Sequence, residues 1–214
     1  MIFFTDRFDL EAAMKEIPAP SRRRLVLLER LLSTYSGEKI TSQKIQELSG
    51  WTAAVIRRDI SLLEIHCGAS NGYKTEDLRK AIEERLNPAD EEQKCCIVGL
   101  GKIGQTLLNG TALDGSPFKL VAGFDSNVNR TEILRSSFPL HPTTLLESVI
   151  EKEGIKYAIL TVEKNEAPGI AERLAKCGVR GIVNYTPCIL SVPATTEVEN
   201  VCLLTVLETL AAKK

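Results

Sequence analysis

Histidine is scarce in this 214-residue sequence, and cysteine never falls into a metal-binding spacing. There are two histidines, His66 and His141, and six cysteines, Cys67, Cys95, Cys96, Cys177, Cys188 and Cys202, with no Cys-x-x-Cys pair among them. Such spacing offers no zinc site. Cys95 and Cys96 stand together in an apolar segment, as reduced thiols serving as small hydrophobic side chains do. Long apolar runs are missing as well, since a membrane span needs roughly 18–20 such residues. The start, "MIFFTDRFDLEAAMKE", turns acidic after four apolar residues, unlike a signal peptide. The expectation is a cytoplasmic protein with no membrane partner.

The formal net charge is only −1, so the total favours no class of partner. The distribution does. From Ile17 to Lys74 there are nine Lys and Arg against five Asp and Glu, and the rest of the chain carries eighteen against twenty-three. A basic front and an acidic rear fit a two-part protein whose front meets an anionic partner.

The front reads as helices. Ser21 is a candidate cap for "RRRLVLLERLLSTY", with Leu25, Leu28 and Leu32 on one face. Thr41 precedes a short helix, "SQKIQELS", and Thr52 precedes "AAVIRRDISLLEIH", with a tight Ser49-Gly50-Trp51 turn between. This is the order of a helix-turn-helix unit. Asn71-Gly72 marks a hairpin, so the unit reads as a winged helix. Thr75 caps a further helix, and "NPADEEQ" marks the boundary. Thr52, Ala53, Arg57 and Arg58 on the third helix, with Ser42, Gln43 and Lys44 at the start of the second, are the candidate residues for double-stranded DNA. For the arginines a solvated face or an ion pair with Asp59 is the competing reading. For Arg22–Arg24 it is a role in interdomain salt bridges.

From Lys94 strands alternate with helices, which predicts parallel pairing in a Rossmann-like doubly wound sheet, an α/β fold. "CCIVGLGKIGQTLLNG", residues 95–110, carries a G-x-G-x-x-G turn between strand and helix. Gly99 makes the turn, Gly101 lets the backbone approach a pyrophosphate, and Gly104 lets the helix pack closely. Leu100, Lys102 and Ile103 complete the loop, whose helix start favours phosphate. Asp125 ends the next strand, placed to accept from ribose hydroxyls and to repel the 2′-phosphate of NADP(H). The cofactor expected is therefore NAD(H). Thr161, Val162, Asn184, Tyr185, Thr186 and Pro187 follow later strands and should reach the same sheet edge. A helix cap at Asp125 and ordinary loop chemistry for the others stay open. His141-Pro142 is placed in a loop and Tyr157 inside a strand. Catalytic residues are not assigned, because no Tyr-x-x-x-Lys pair on a helix follows the glycines and an oxidoreductase needs a proton donor. The tail, "ENVCLLTVLETLAAKK", reads as a helix starting near Asn200, whose Leu203, Val206, Leu207 and Leu210 need cover.

The elements "IPAPSRRRL", "AAVIRRDISLL", "GLGKIGQTLLN", "FD", "AILTV", "AERLAKCGVRGIVNYTP" and "LSVP", in that order, resemble the Rex family of redox-sensing bacterial repressors from about Ile17 to Leu210. The resemblance implies a homodimeric winged-helix repressor that compares NADH with NAD⁺. It also implies exchange of the C-terminal helix between subunits. The corresponding division is residues 1–87 for the DNA-binding domain with an N-terminal extension, 93–199 for the dinucleotide-binding domain and 200–214 for the dimerisation helix. A small NAD-dependent oxidoreductase and a CoA- or adenine-nucleotide-binding module are the alternatives. Against the family pattern, the wing "HCGASNGY" has no Lys or Arg before Gly72-Tyr73, Lys102 replaces an asparagine, and Glu163 replaces a proline, which by the resemblance sets an acid close to the nicotinamide end.

Overall fold

The computed structural model describes residues 17–64, 72–86, 92–111 and 113–212. The N-terminal extension over 1–16, the wing residues 65–71 and most of the boundary, 87–91, lie outside the described residues. The chain divides into two compact units after Asp90.

The first unit contains α1 (Ala19–Thr34), β1 (Lys39–Ile40), α2 (Ser42–Ser49), α3 (Ala53–Ser61), β2 (Tyr73–Lys74) and α4 (Thr75–Leu86). The apolar stripe of α1, Leu25, Leu28 and Leu32, is buried with Ile45 of α2, Ile56 and Ile60 of α3, and Leu78 and Ile82 of α4. The turn between α2 and α3 is held by its own side chains. Thr41 Oγ1 accepts from the Lys44 N–H at 3.1 Å, and Thr52 Oγ1 accepts from the Val55 N–H at 3.4 Å. Gly50 ends α2 in the left-handed region at φ 76°, where a Cβ is unfavourable. Gln46 Oε1 then accepts from the Ala53 N–H at 2.9 Å, so α2 caps α3 directly. β1 and β2 pair antiparallel, Ile40 opposite Tyr73. The start of α1 differs from the sequence reading. Pro18 is its N-cap and Ser21 lies buried inside the helix, because a proline's fixed φ suits the first turn without a side-chain cap.

The second unit is a parallel sheet with helices: β3 (Gln93–Val98), α5 (Lys102–Leu108), β4 (Phe118–Asp125), α6 (Val128–Ile133), β5 (Leu140–Pro142), a 3₁₀ turn (Thr143–Leu145), α7 (Leu146–Glu153), β6 (Tyr157–Leu160), α8 (Ala167–Lys176), β7 (Gly181–Asn184), β8 (Glu197–Asn200) and α9 (Leu203–Ala211). The strand order is β5-β4-β3-β6-β7-β8, all parallel. Chain order reverses direction between β3 and β6, which leaves a crevice at their carboxyl ends. The main core joins Phe124, Leu160 and Ile182 of the sheet to Leu146 and Ile150 of α7 and Leu174 of α8.

Two elements correct the sequence reading. His141 and Pro142 belong to edge strand β5, with the His141 ring 5.8 Å from that of Phe124. Residues 197–200 form edge strand β8, so the tail helix begins at Leu203 and not near Asn200. Both strands are short, and β8 is mostly exposed with two glutamates, so neither shows the alternation that marks a half-buried strand. No residue of α9 is buried, and Leu203, Leu204, Val206, Leu207 and Leu210 are each more than half exposed. No described helix is long and apolar enough to cross a membrane.

Candidate functional site

The glycine turn sits where β3 meets α5, facing the end of β6. Gly99 has φ 98°, and a Cβ there would lie 2.6 Å from the Thr161 carbonyl carbon. A Cβ on Gly104 would run into the Gly99 carbonyl oxygen. Gly101 is different: nothing lies within 4 Å of a Cβ built on it. Two of the three glycines thus serve the packing of the chain on itself, and the third opens onto free space. The N–H groups of the first turn of α5 lack intrahelical partners by geometry.

Asp125 closes the turn from β4. Its Oδ2 accepts from the Leu100 N–H at 2.6 Å and its Oδ1 from the Asn127 N–H at 2.7 Å. Arg130 Nη1 lies 3.3 Å from Oδ2. The helix cap is Asn127, so Asp125 is not that cap. Leu100 itself has a fully buried side chain, packed with Ile97 and Leu108. Its predicted part in the loop is confined to its backbone, and its N–H is spent on Asp125. Lys102 and Ile103 are exposed.

A narrow cleft is lined by Gly99, Gly101, Asp125, Arg130, Glu163 and Glu166. Thr161 and Val162 also line it, and Thr161 Oγ1 donates to the Gly99 carbonyl at 2.6 Å. Glu163 thus lines the same cleft as Asp125 and Gly101. Arg130, Glu166, Thr143 and Ile170 line the same cleft and were not singled out from sequence. For Arg130 a signal existed, because it stands five residues after Asp125, a turn into the following helix.

The segment after β7 is mostly occupied with itself. Asn184 is fully buried. Its Nδ2 donates to the Cys188 carbonyl and to Asn200 Oδ1, both at 2.8 Å, and its Oδ1 accepts from the Thr186 N–H and hydroxyl. Thr186 is buried and Pro187 exposed. Tyr185 lines a second, larger cavity of about 620 Å³ with Leu107, Phe118, Phe138, Ile159 and Val183. The narrow cleft thus gathers Gly99, Gly101, Asp125, Thr161 and Val162, whereas Tyr185 faces the apolar cavity.

A bidentate pair steadies one wall. Arg173 Nε and Nη2 donate to Glu147 at 2.5 and 2.7 Å, and Nη2 also reaches the Thr143 carbonyl at 2.7 Å. The guanidinium holds the Glu147 carboxyl down at about 2. Burial pushes the Cys95 thiol up to about 11 and that of Cys96 further still, which keeps both protonated and unreactive.

On the first unit, Arg57 and Arg58 of α3 are exposed, as are Thr52, Gln43 and Lys44. Arg57 Nη1 donates to Ser42 Oγ at 3.1 Å, joining the two helix faces predicted for DNA. Asp59 is not their partner. It is buried and takes Arg24, Nε–Oδ2 at 2.6 Å and Nη2–Oδ1 at 2.9 Å, so Arg24 ties α1 to α3 within the unit. Lys44 Nζ is paired with Glu47 at 2.8 Å.

Two family models match the chain, "Putative DNA-binding protein N-terminus" over residues 16–61 and "CoA binding domain" over residues 90–188. The redox-sensing transcriptional repressor Rex of Lactococcus lactis subsp. cremoris (strain MG1363) is 32% identical, over 92% of this chain and 93% of that protein. The Rex protein of Levilactobacillus brevis is 31% identical over 92% and 93%. Among solved structures, RSP, a Rex-family repressor, in complex with NAD⁺ and operator DNA, aligns with a TM-score of 0.82 at 28% identity, covering 92% of each chain. RSP in complex with NADH aligns with a TM-score of 0.78, covering 92% of this chain and 93% of RSP. With a helix-turn-helix unit in front, a glycine turn at the crevice of a parallel sheet behind, and relatives matched along nearly its whole length, this chain belongs to the Rex family of redox-sensing transcriptional repressors.

Proposed function

We propose that this protein is a DNA-binding repressor that reads the NADH/NAD⁺ ratio and does not turn the nucleotide over. The observation that carries the reading is the open space at Gly101 beside a turn whose other two glycines are consumed by packing. That space suits a pyrophosphate passing over the backbone. Gly99, Leu100, Gly101, Lys102, Ile103 and Gly104 form the phosphate turn, and Asp125 faces the adenosine ribose. Thr161 and Val162 line the path between. Asn184 and Thr186 shape the loop that carries Tyr185 and Pro187 toward the nicotinamide half. The dinucleotide supplies only its binding energy, and these residues orient it.

On the DNA side α3 enters the major groove with Thr52, Ala53, Arg57 and Arg58 forward, while Ser42, Gln43 and Lys44 meet the backbone. The domains follow the division 1–87, 93–199 and 200–214, with the helix itself from Leu203. The exposed apolar residues of α9 support a homodimer in which the helix is exchanged, since five large apolar side chains do not stay in water in a stable assembly. RSP holds NAD⁺ together with operator DNA, so the NAD⁺-loaded state is taken as the DNA-binding one and NADH as the ligand that releases it. The test is fluorescence anisotropy on DNA from the protein's own upstream region, titrated with NADH and with NAD⁺. Release by NADH alone is expected. Consumption of NADH with a carbonyl substrate, or equal DNA affinity under both nucleotides, would overturn the reading.

A further inference from the structure

Asp125 is already engaged. A carboxylate offers about four acceptor directions, and three are used by the chain: Leu100 N–H and Arg130 Nη1 on Oδ2, and Asn127 N–H on Oδ1. Two of these donors are backbone groups that cannot leave without opening the turn. The third is a side chain. Asp125 is 3% exposed, but the Arg130 side chain is 48% exposed and sits on the short surface helix α6, so it alone can yield its place.

We propose that Arg130 determines how sharply this cleft separates NAD(H) from NADP(H). Resting on the dinucleotide reading above, the inference adds the chemistry of the ribose end. Without ligand, Arg130 lies on one of the two Asp125 oxygens that a ribose hydroxyl can use. When the ribose takes that oxygen, the guanidinium moves to its edge, within reach of the 2′ position. There it meets a hydroxyl as an indifferent neighbour and a 2′-phosphate as a charged hydrogen-bonding partner. It therefore competes against NAD(H) and supports NADP(H), offsetting the repulsion that Asp125 imposes. Glu163 and Glu166 line the same cleft and oppose a phosphate there, so Arg130 narrows the preference for NAD(H) without reversing it.

The signature is a pair of unequal shifts. In the full chain, Arg130→Ala should weaken NADPH about tenfold, the worth of one charged hydrogen bond, and leave NADH unchanged or tighter. Arg130→Lys, which keeps the charge, should recover part of the NADPH affinity. Calorimetric titration of NADH and NADPH into wild type and both variants reads all of this, and Arg130→Gln replaces the alanine variant if that one fails to fold. Equal weakening of both nucleotides, or no change in their ratio, overturns the role of Arg130 while leaving the cofactor reading in place. Wild type binding neither nucleotide overturns both.

Discussion

The three glycines of the turn should fail in different ways when substituted. At Gly104 an added methyl meets the Gly99 carbonyl oxygen, a backbone atom that cannot rotate aside. Overpacking of this kind costs about 1–3 kcal/mol. At roughly 2–8 °C of melting temperature per kcal/mol for domains in this size range, Gly104→Ala should melt several degrees lower. At Gly101 the backbone is extended, φ −69° and ψ −165°, and the space beyond is empty to 4 Å. A Cβ meets nothing there, so the main cost of a valine is the lost N-cap preference of glycine, about 1 kcal/mol or less. Its branched side chain fills the space a pyrophosphate would cross. Gly101→Val should therefore unfold within a few degrees of wild type and lose NADH binding. Gly104→Ala should lose stability first and affinity only as a consequence. Calorimetric affinity and thermal unfolding on the same samples separate the two. Unchanged NADH affinity in Gly101→Val would show that the nucleotide does not cross the turn. A melting point as low as that of Gly104→Ala would show that the space is not free.

Asp125→Asn removes a charge that accepts from two backbone N–H groups, so it should lower unfolding stability by about 1–3 kcal/mol and also weaken NADH; loss of affinity with stability intact would mean the turn does not depend on this carboxylate. Glu147 is held at about 2, below its ordinary 4.5, and a depressed folded value stabilises above the unfolded value and is lost as pH falls through the folded one. With both partners a third or more exposed, Glu147→Gln should cost about 1 kcal/mol at pH 7 after screening, and the gap to wild type in urea denaturation should shrink between pH 4.5 and pH 2. Arg58→Ala should nearly abolish operator binding, and Ser70→Lys with Asn71→Arg should raise affinity and steepen the salt dependence by about one unit of slope per added contact; a salt titration in which the rebuilt wing changes neither would mean the wing does not approach DNA.

Where one residue type dictates one geometry, the sequence was sufficient. Thr41, Gly50 and Thr52 mark the ends of α2 and α3 because each satisfies or permits a specific backbone state. Gly99, Gly101 and Gly104 mark the crevice for the same reason. What escaped was pairing that carries no periodic signal: β5 is three residues long and β8 is polar, and both exist because a neighbouring strand offers an edge. Partner choice escaped as well. Asp59 stands next to Arg58 in sequence yet is bonded to Arg24, thirty-five residues away. Asn184 reads as a ligand-facing strand end, yet its amide is spent on Cys188, Thr186 and Asn200. Composition and spacing say which groups arrive at a place, and only the folded chain says which acceptors are already taken.

That distinction bears on how a bound nucleotide could act on DNA. A ligand shifts a two-state protein only by the difference in its affinity for the two states, and moving 1:99 to 99:1 takes about 5.5 kcal/mol. Contacts equal in both states add affinity and no signal. The Gly99 and Gly104 packing and the Leu100–Asp125 bond are locked by backbone and fall in that class. Groups with an alternative place to go are the ones able to differ. Arg130 can leave Asp125, and α9 must bury its apolar face against something that the second unit alone does not provide. A sensor needs its discriminating contacts on such movable parts, and on this chain the movable parts are the Arg130 side chain beside Asp125 and the exposed final helix, not the backbone-locked glycine turn.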